Sequence, residues 1–192
     1  MRNARLIISS FCIASVLAQI CFAEGAPKEL TLQVSVQNNL YKLSVPISRL
    51  IMALPKDNLL QKQMKAGGAT DSPRYFYFSD KEKYIVVSGW FESSQGYLNF
   101  NKYWNDEKKA WQFSNSSPTP INEGFFKLSG WDAVTYDTPI GGNVISHHIK
   151  VHLVQAGTWI DLHLSISAEN YDPKAHETLM NILKSIEVNE KS

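Results

Sequence analysis

Two residues, Ala156 and Gly157, limit what this chain can become more than any others. They separate two long apolar-alternating runs, residues 144–155 and 158–167. A two-residue connection between such runs is the signature of a tight β-hairpin, and it pairs Gln155 with Thr158. The rest of the register follows. Leu153 opposes Ile160, Val151 opposes Leu162 and Ile149 opposes Leu164. These six apolar side chains share one face, which is the face a core requires. A slip of one residue would set Leu153 against Asp161, so turn and pattern agree.

The opposite face of the hairpin is polar. His152 opposes Asp161, Lys150 opposes His163, and His148 opposes Ser165. His163 is also diagonal to both His152 and His148, while His147 points to the core side near the open end. Directly opposed Cβ atoms lie about 5 Å apart and diagonals about 7–8 Å. His152, Asp161 and His163 are therefore a candidate metal set, since imidazole and carboxylate suit zinc or copper. A pH-sensitive contact surface is a second reading, because imidazole titrates near neutrality. A Ser-His-Asp arrangement through Ser165 fails: Ser165 opposes His148 whereas Asp161 opposes His152, and one imidazole cannot serve both. Beside these stands a plain reading, a solvated sheet face with an ordinary His152–Asp161 cross-strand pair. Trp159 lies on this polar face opposite Val154. It reads as a partner anchor or as a ring covered by a packed helix. His148, His152, Trp159, Asp161 and His163 are thus the candidate ligand- or partner-binding residues.

The N-terminus is expected to be a Sec-type secretion signal. Arg2 and Arg5 precede an apolar run, residues 6–22, and Ala23 follows before Glu24, the first acidic residue. Charge, apolar run and small residue are the three parts of such a signal. Cleavage after Ala23 removes Cys12 and Cys21, the only two cysteines. The exported remainder then has no thiol nucleophile, thiolate metal site or disulfide. Lysine plus arginine falls from 19 to 17 against 18 acids as Arg2 and Arg5 leave. A near-neutral surface gives no electrostatic reason to expect nucleic acid as a partner. No later segment is apolar enough to anchor in a membrane. A cysteine-free exported domain fits a bacterial periplasm.

Residues 24–192 read as one α+β domain. Residues 30–36 alternate, 40–45 form a second strand ended by Pro46, and 50–54 a third ended by Pro55. The aromatic runs 75–78 and 84–91 read as a hairpin lying mid-sheet. Tyr97, Phe100, Trp104 and Trp111 then fall at helical spacing, predicting a helix over residues 94–111 with 105–109 as its solvated face. Residues 114–120 are a loop by composition. Strands at 124–128 and 131–136 precede the long hairpin. Asp172-Pro173 is a helix cap followed by proline, and Ala175, Leu179, Ile182, Leu183 and Ile186 mark the buried stripe of a C-terminal helix.

Motifs for common chemistries are absent. There is no G-x-S-x-G, S-x-x-K, glycine-rich phosphate loop or EF-hand loop, and nothing calls for a cofactor. His176-Glu177 starts an H-E-x-x-H, but Met180 stands where the second histidine is needed, so it reads as a helix-surface dipeptide. Glu92 and Asp132 are a conceivable glycosidase-type carboxylate pair, although nothing in the sequence brings them together. An enzyme is disfavoured; the alternative is a hydrolase with a motif-free site.

The order of elements resembles the PsbP/Mog1-like α/β/α sandwich. The resemblance covers a strand-rich first half, a Trp-bearing mid-chain helix, an antiparallel hairpin ending Gly157-Thr158-Trp159-Ile160-Asp161-Leu162-His163-Leu164-Ser165, and a closing helix. It implies an antiparallel sheet with helices packed on it and a non-enzymatic accessory or protein-binding role. It carries over no functional residue. The photosystem role of PsbP itself is not implied, since no plastid transit peptide is evident. The reading is therefore a soluble periplasmic binding or accessory module with a periplasmic protein as partner. N-terminal sequencing of the exported protein is expected to begin at Glu24; a product retaining residues 1–23 would refute the signal.

Overall fold

The structure, a computed structural model, describes residues 28–57, 59–61, 73–114 and 118–191. The expected signal segment and much of the polar stretch after Lys56 lie outside these residues, as do residues 115–117 of the 114–120 loop.

In chain order the strands are β1 Gln33–Gln37, β2 Leu40–Ser44, β3 Leu50–Pro55, β4 Leu60–Gln61, β5 Tyr75–Asp80, β6 Ile85–Ser93, β7 Ile121–Leu128, β8 Trp131–Gly141, β9 Val144–Gln155, β10 Thr158–Glu169 and β11 Glu187–Glu190. Helix α1, Phe100–Ser114, joins β6 to β7, and helix α2, Pro173–Lys184, precedes β11. The fold is α+β, with antiparallel sheets dominating and two α-helices among the described residues. A single sheet was the expectation, but the strands divide between two. One has the order β1-β2-β3-β11 and the other β4-β5-β6-β10-β9-β8-β7. The aromatic hairpin is less central than its composition suggests: β6 is interior, but β5 has only the two-residue β4 beyond it.

The long hairpin forms as its turn dictates. Gln155 pairs Thr158, Leu153 pairs Ile160, His152 pairs Asp161 and His148 pairs Ser165. Ala156 and Gly157 have φ of 47° and 76°. Positive φ at both central residues is what a type I′ turn needs, and its twist matches that of the strands.

The helices start where their caps allow. Asn99 Oδ1 accepts the amide of Lys102 at 2.9 Å, so α1 begins at Phe100 rather than at residue 94. Asp172 caps α2 through the amide of Lys174 at 2.9 Å, with Pro173 in the first turn.

The two faces of the large sheet meet different neighbours. Ile149, Val151, Leu153, Ile160, Leu162 and Leu164 pack in one cluster with Leu179 and Leu183 of α2 and with Leu43, Met52 and Leu54 of the small sheet. A separate cluster joins Phe100, Trp104 and Trp111 of α1 to Val134 and Tyr136 of β8. Val134 and Tyr136 alternate with the core-facing Ala133, so α1 lies on the hairpin's polar face.

Gly89 marks the closest approach inside this arrangement. It pairs with both Phe76 and Leu162 in an interior position of the sheet. A Cβ at this position would collide with the Asp161 carbonyl and stand 2.8 Å from the Phe76 ring. Backbone cannot yield as a flexible side chain can. Gly89→Ala is expected to lower stability by at least about 2 kcal/mol, toward the upper end of overpacking costs. Urea titration would test this, an unchanged midpoint being the contrary result.

Candidate functional site

The polar face of the hairpin is not solvated. Lys150 is 5% exposed, His152 2% and Asp161 3%, which overturns the expectation of an open sheet face. The cause is α1. Its apolar stripe of Phe100, Trp104 and Trp111 requires burial, and it packs on Val134 and Tyr136. Docking there carries the helix over β9 and β10 and seals their charged side chains.

Lys150 is the centre of what is sealed. Its Nζ lies 2.8 Å from Glu107 Oε1 and 3.5 Å from Asp161 Oδ2. It also donates to the Tyr103 hydroxyl at 3.4 Å and sits 5.0 Å from that ring's centroid. Tyr103 in turn donates to Asp161 Oδ2 at 3.1 Å. Glu107 falls within the 105–109 stretch expected to face solvent, and this is a second correction. An ammonium buried in the sheet needs carboxylates on more than one side. Burial pushes the lysine's pKa down, but Asp161 and Glu107 hold it well above the usual range. Burial likewise pushes Asp161 up, while the Lys150 charge and the Tyr103 hydroxyl hold it well below the usual carboxylate range. Glu107 ends above its ordinary value because burial outweighs the pull of Lys150.

Trp159 is enclosed beside this network. Its ring centroid is 5.0 Å from those of Tyr97 and His152 and 5.2 Å from that of Tyr103. Trp159 is half-buried, with Tyr103 of α1 against its ring, so a packed helix covers part of it. His152 sits among Tyr97, Phe100, Tyr103 and Trp159, and its Nδ1 is 3.1 Å from the Tyr97 hydroxyl. His152 Nε2, Asp161 Oδ1 and Trp159 Nε1 are buried without a hydrogen-bond partner. The His152 Nε2 to Asp161 Oδ1 distance of 3.6 Å is too long for a hydrogen bond.

His163 belongs to a different group. Its Nε2 is 3.0 Å from His148 Nδ1 and 3.3 Å from the Tyr136 hydroxyl. The rings of Tyr136, His148 and His163 form a stack, with His148 Nε2 2.8 Å from Thr138 Oγ1. Burial, then the positive charge of Lys150, pushes His163 down to about 4. The candidate metal set of His152, Asp161 and His163 is thus divided. His163 turns to His148, and the Lys150 ammonium stands beside Asp161, where a cation would have to go. Glu92 and Asp132 do not come together either. They lie on β6 and β8, with β10 and β9 between them, about 14 Å apart in strand spacings alone. That exceeds the carboxylate separations of glycosidases. Glu92 is instead paired with Arg74 at 2.6 Å, and Asp132 with Lys127 at 2.8 Å.

A second constellation was not read from the sequence. Asp137 on β8 pairs in register with His147 on β9, and His176 reaches them from the first turn of α2. Asp137 Oδ1 lies 2.8 Å from both His147 Nδ1 and His176 Nε2. Asn122 Nδ2 donates to Asp137 Oδ2 at 2.8 Å. Asp137 is 1% exposed and His147 fully buried. His176 is thus more than part of a helix-surface dipeptide. The Asp137–His147 pairing was the missing signal. The β8–β9 register shifts between Pro139 and Gly141, so it cannot be counted back from the turn.

No protein-family model matches this sequence, and no curated protein does. Among solved structures the chain is similar to the solution structure of cyanobacterial PsbP (CyanoP) from Synechocystis sp. PCC 6803. The identity is 13% and the TM-score 0.51, over 88% of this chain and 97% of that one. The chain therefore has a PsbP-like fold, and at this identity the likeness extends to the fold alone.

Lys150→Met keeps the shape of the buried side chain but removes its charge. It is expected to destabilise by about 3–5 kcal/mol, because Asp161 and Glu107 lose their counter-ion. Lys150→Met combined with Glu107→Gln should be less damaging than the single change. Urea midpoints of the two variants decide the matter, and a harmless single change would contradict it.

Proposed function

We propose that this protein is a periplasmic accessory module that binds a protein partner through the open edge of its large sheet. In this reading it is a PsbP/Mog1-like sandwich exported by its N-terminal segment, and its polar centre serves to fix α1 rather than to carry out chemistry.

The observation that supports the binding role is the state of β7. It is the last strand in the seven-stranded order, so no described strand pairs with its outer edge. Its Phe125 is 55% exposed and its Ile121 45%, and Phe113 at the end of α1 is 86% exposed. Beside β7 lies a cleft of about 420 Å³ lined by Asn99, Phe100, Asn101, Phe125, Lys127 and Asp132 among others. Phe125 and Phe100 meet edge to face there, 6.4 Å between centroids. A free backbone edge next to an aromatic cleft suits an extended segment of another protein. The main chain supplies hydrogen bonds, and the cleft takes alternate side chains. Unprotected edges of this length are a hazard to a protein that has no use for them.

A photo-cross-linking residue in place of Phe125 is expected to capture a discrete protein in the periplasm. The same residue in place of Lys83, in the turn between β5 and β6, should not. Equal capture at both positions, or none at Phe125 with the protein normally abundant, would overturn the proposal.

A further inference from the structure

The Asp137, His147 and His176 group lies apart from the polar layer under α1, and its ligands come from β8, β9 and α2 rather than from β7. It sits on the core side of the large sheet, where α2 begins. Its three candidate ligand atoms all lie within 4.8 Å of one another. Zinc and copper bind imidazole nitrogen and carboxylate oxygen at about 2.0–2.2 Å, so atoms this close can share one ion. Two of the ligands come from directly paired strands and one from a helix. The strands fix their separation, and Asn122 fixes the carboxylate through its second oxygen. Such outer hydrogen bonds are the usual support of a metal ligand.

The ring nitrogens away from the centre give an independent observation. In the metal-free arrangement His147 Nε2 accepts the Asp172 amide at 3.3 Å, so its proton lies on Nδ1 and goes to Asp137. His176 Nδ1 is buried with no hydrogen-bond partner. If Nδ1 of His147 and Nε2 of His176 hold an ion, each neutral ring carries its proton on the other nitrogen. For His176 that is the unpartnered Nδ1. For His147 it means giving up the Asp172 contact, the longest hydrogen bond in the group. No proton need leave the protein.

We propose that Asp137, His147 and His176 bind one divalent transition-metal ion, zinc or copper(II). The ion pins the first turn of α2 to β8 and β9. Three protein ligands leave a fourth position, and His176, whose side chain is 23% exposed, marks its open side. β7 supplies none of the three ligands, and its Asn122 supports Asp137.

The full chain freed of metal by chelator is titrated with zinc, followed by calorimetry and by the ring resonances of its five histidines. One zinc per chain is expected, with a higher melting temperature. The resonances of His147 and His176 should move, and those of His148, His152 and His163 should not. His176→Ala is expected to weaken zinc binding more than about 100-fold, beyond what loss of an outer-shell partner produces. With copper(II), nitrogen coupling should fall from two nitrogens to one in that variant. Failure of the wild type to bind stoichiometrically at micromolar zinc or copper would overturn the proposal. So would undiminished affinity in His176→Ala, or movement of the His152 and His163 resonances in place of the expected pair. The resonance test is made on the unaltered protein and holds even if the variant does not fold.

Discussion

The burial of one ammonium group organises this protein. Lys150 stands in the middle of the large sheet, on the face turned away from α2, with its charge almost wholly withdrawn from water. A lone charge in that place would be prohibitive, so carboxylates must come to it. Asp161 comes from the neighbouring strand and Glu107 from the helix above. The ion pairs are weak evidence of net stability, since desolvation cancels much of their attraction. Their stronger effect is on position. Of the acidic residues along α1, Asp106 and Glu107, Glu107 is the one that meets Lys150, so the helix cannot slide along the sheet or rotate on it without stranding a charge.

The hairpin that carries Lys150 works on both sides at once. Its type I′ turn sets one register, and that register sends Ile149, Val151 and Leu153 into one layer and His148, Lys150 and His152 into the other. The apolar layer gathers α2 and the small sheet by area alone. The polar layer gathers α1 by charge, hydrogen bonds and ring contacts. The first layer tolerates adjustment between similar side chains, while the second does not, because its partners are specific.

Legibility in the sequence followed the same division. Alternation and a two-residue turn were enough to derive the hairpin pairs from Gln155–Thr158 to His148–Ser165, and Asp172-Pro173 announced α2. What sat on the polar face was not derivable, because it depends on where a helix from elsewhere in the chain lies. Glu107 nevertheless shares the stripe of Phe100, Trp104 and Trp111 at spacings of three, four and seven residues. Its charge suggested solvent, yet the unpaired Lys150 on a long strand was a reason to look for an inward acid. The Asp137, His147 and His176 group needed both an irregular turn and a tertiary contact, and neither leaves a trace in periodicity. The second sheet was missed because β11 is four residues long and pairs with a strand from the opposite end of the chain.

That last pairing bears on how the molecule comes to be folded. β11 lies against β3, and the backbone of Lys191 continues the contact to Arg49. The small sheet therefore joins segments separated by nearly the whole described chain. Closing so large a loop is entropically expensive and contributes nothing until the late residues are present. A chain emerging from a ribosome or a translocation pore, amino end first, can assemble β1 to β3 early but cannot complete their sheet until β11 has followed. Completion of the small sheet is thus tied to the arrival of β11, and loss of that strand would leave the edge of β3 unpaired.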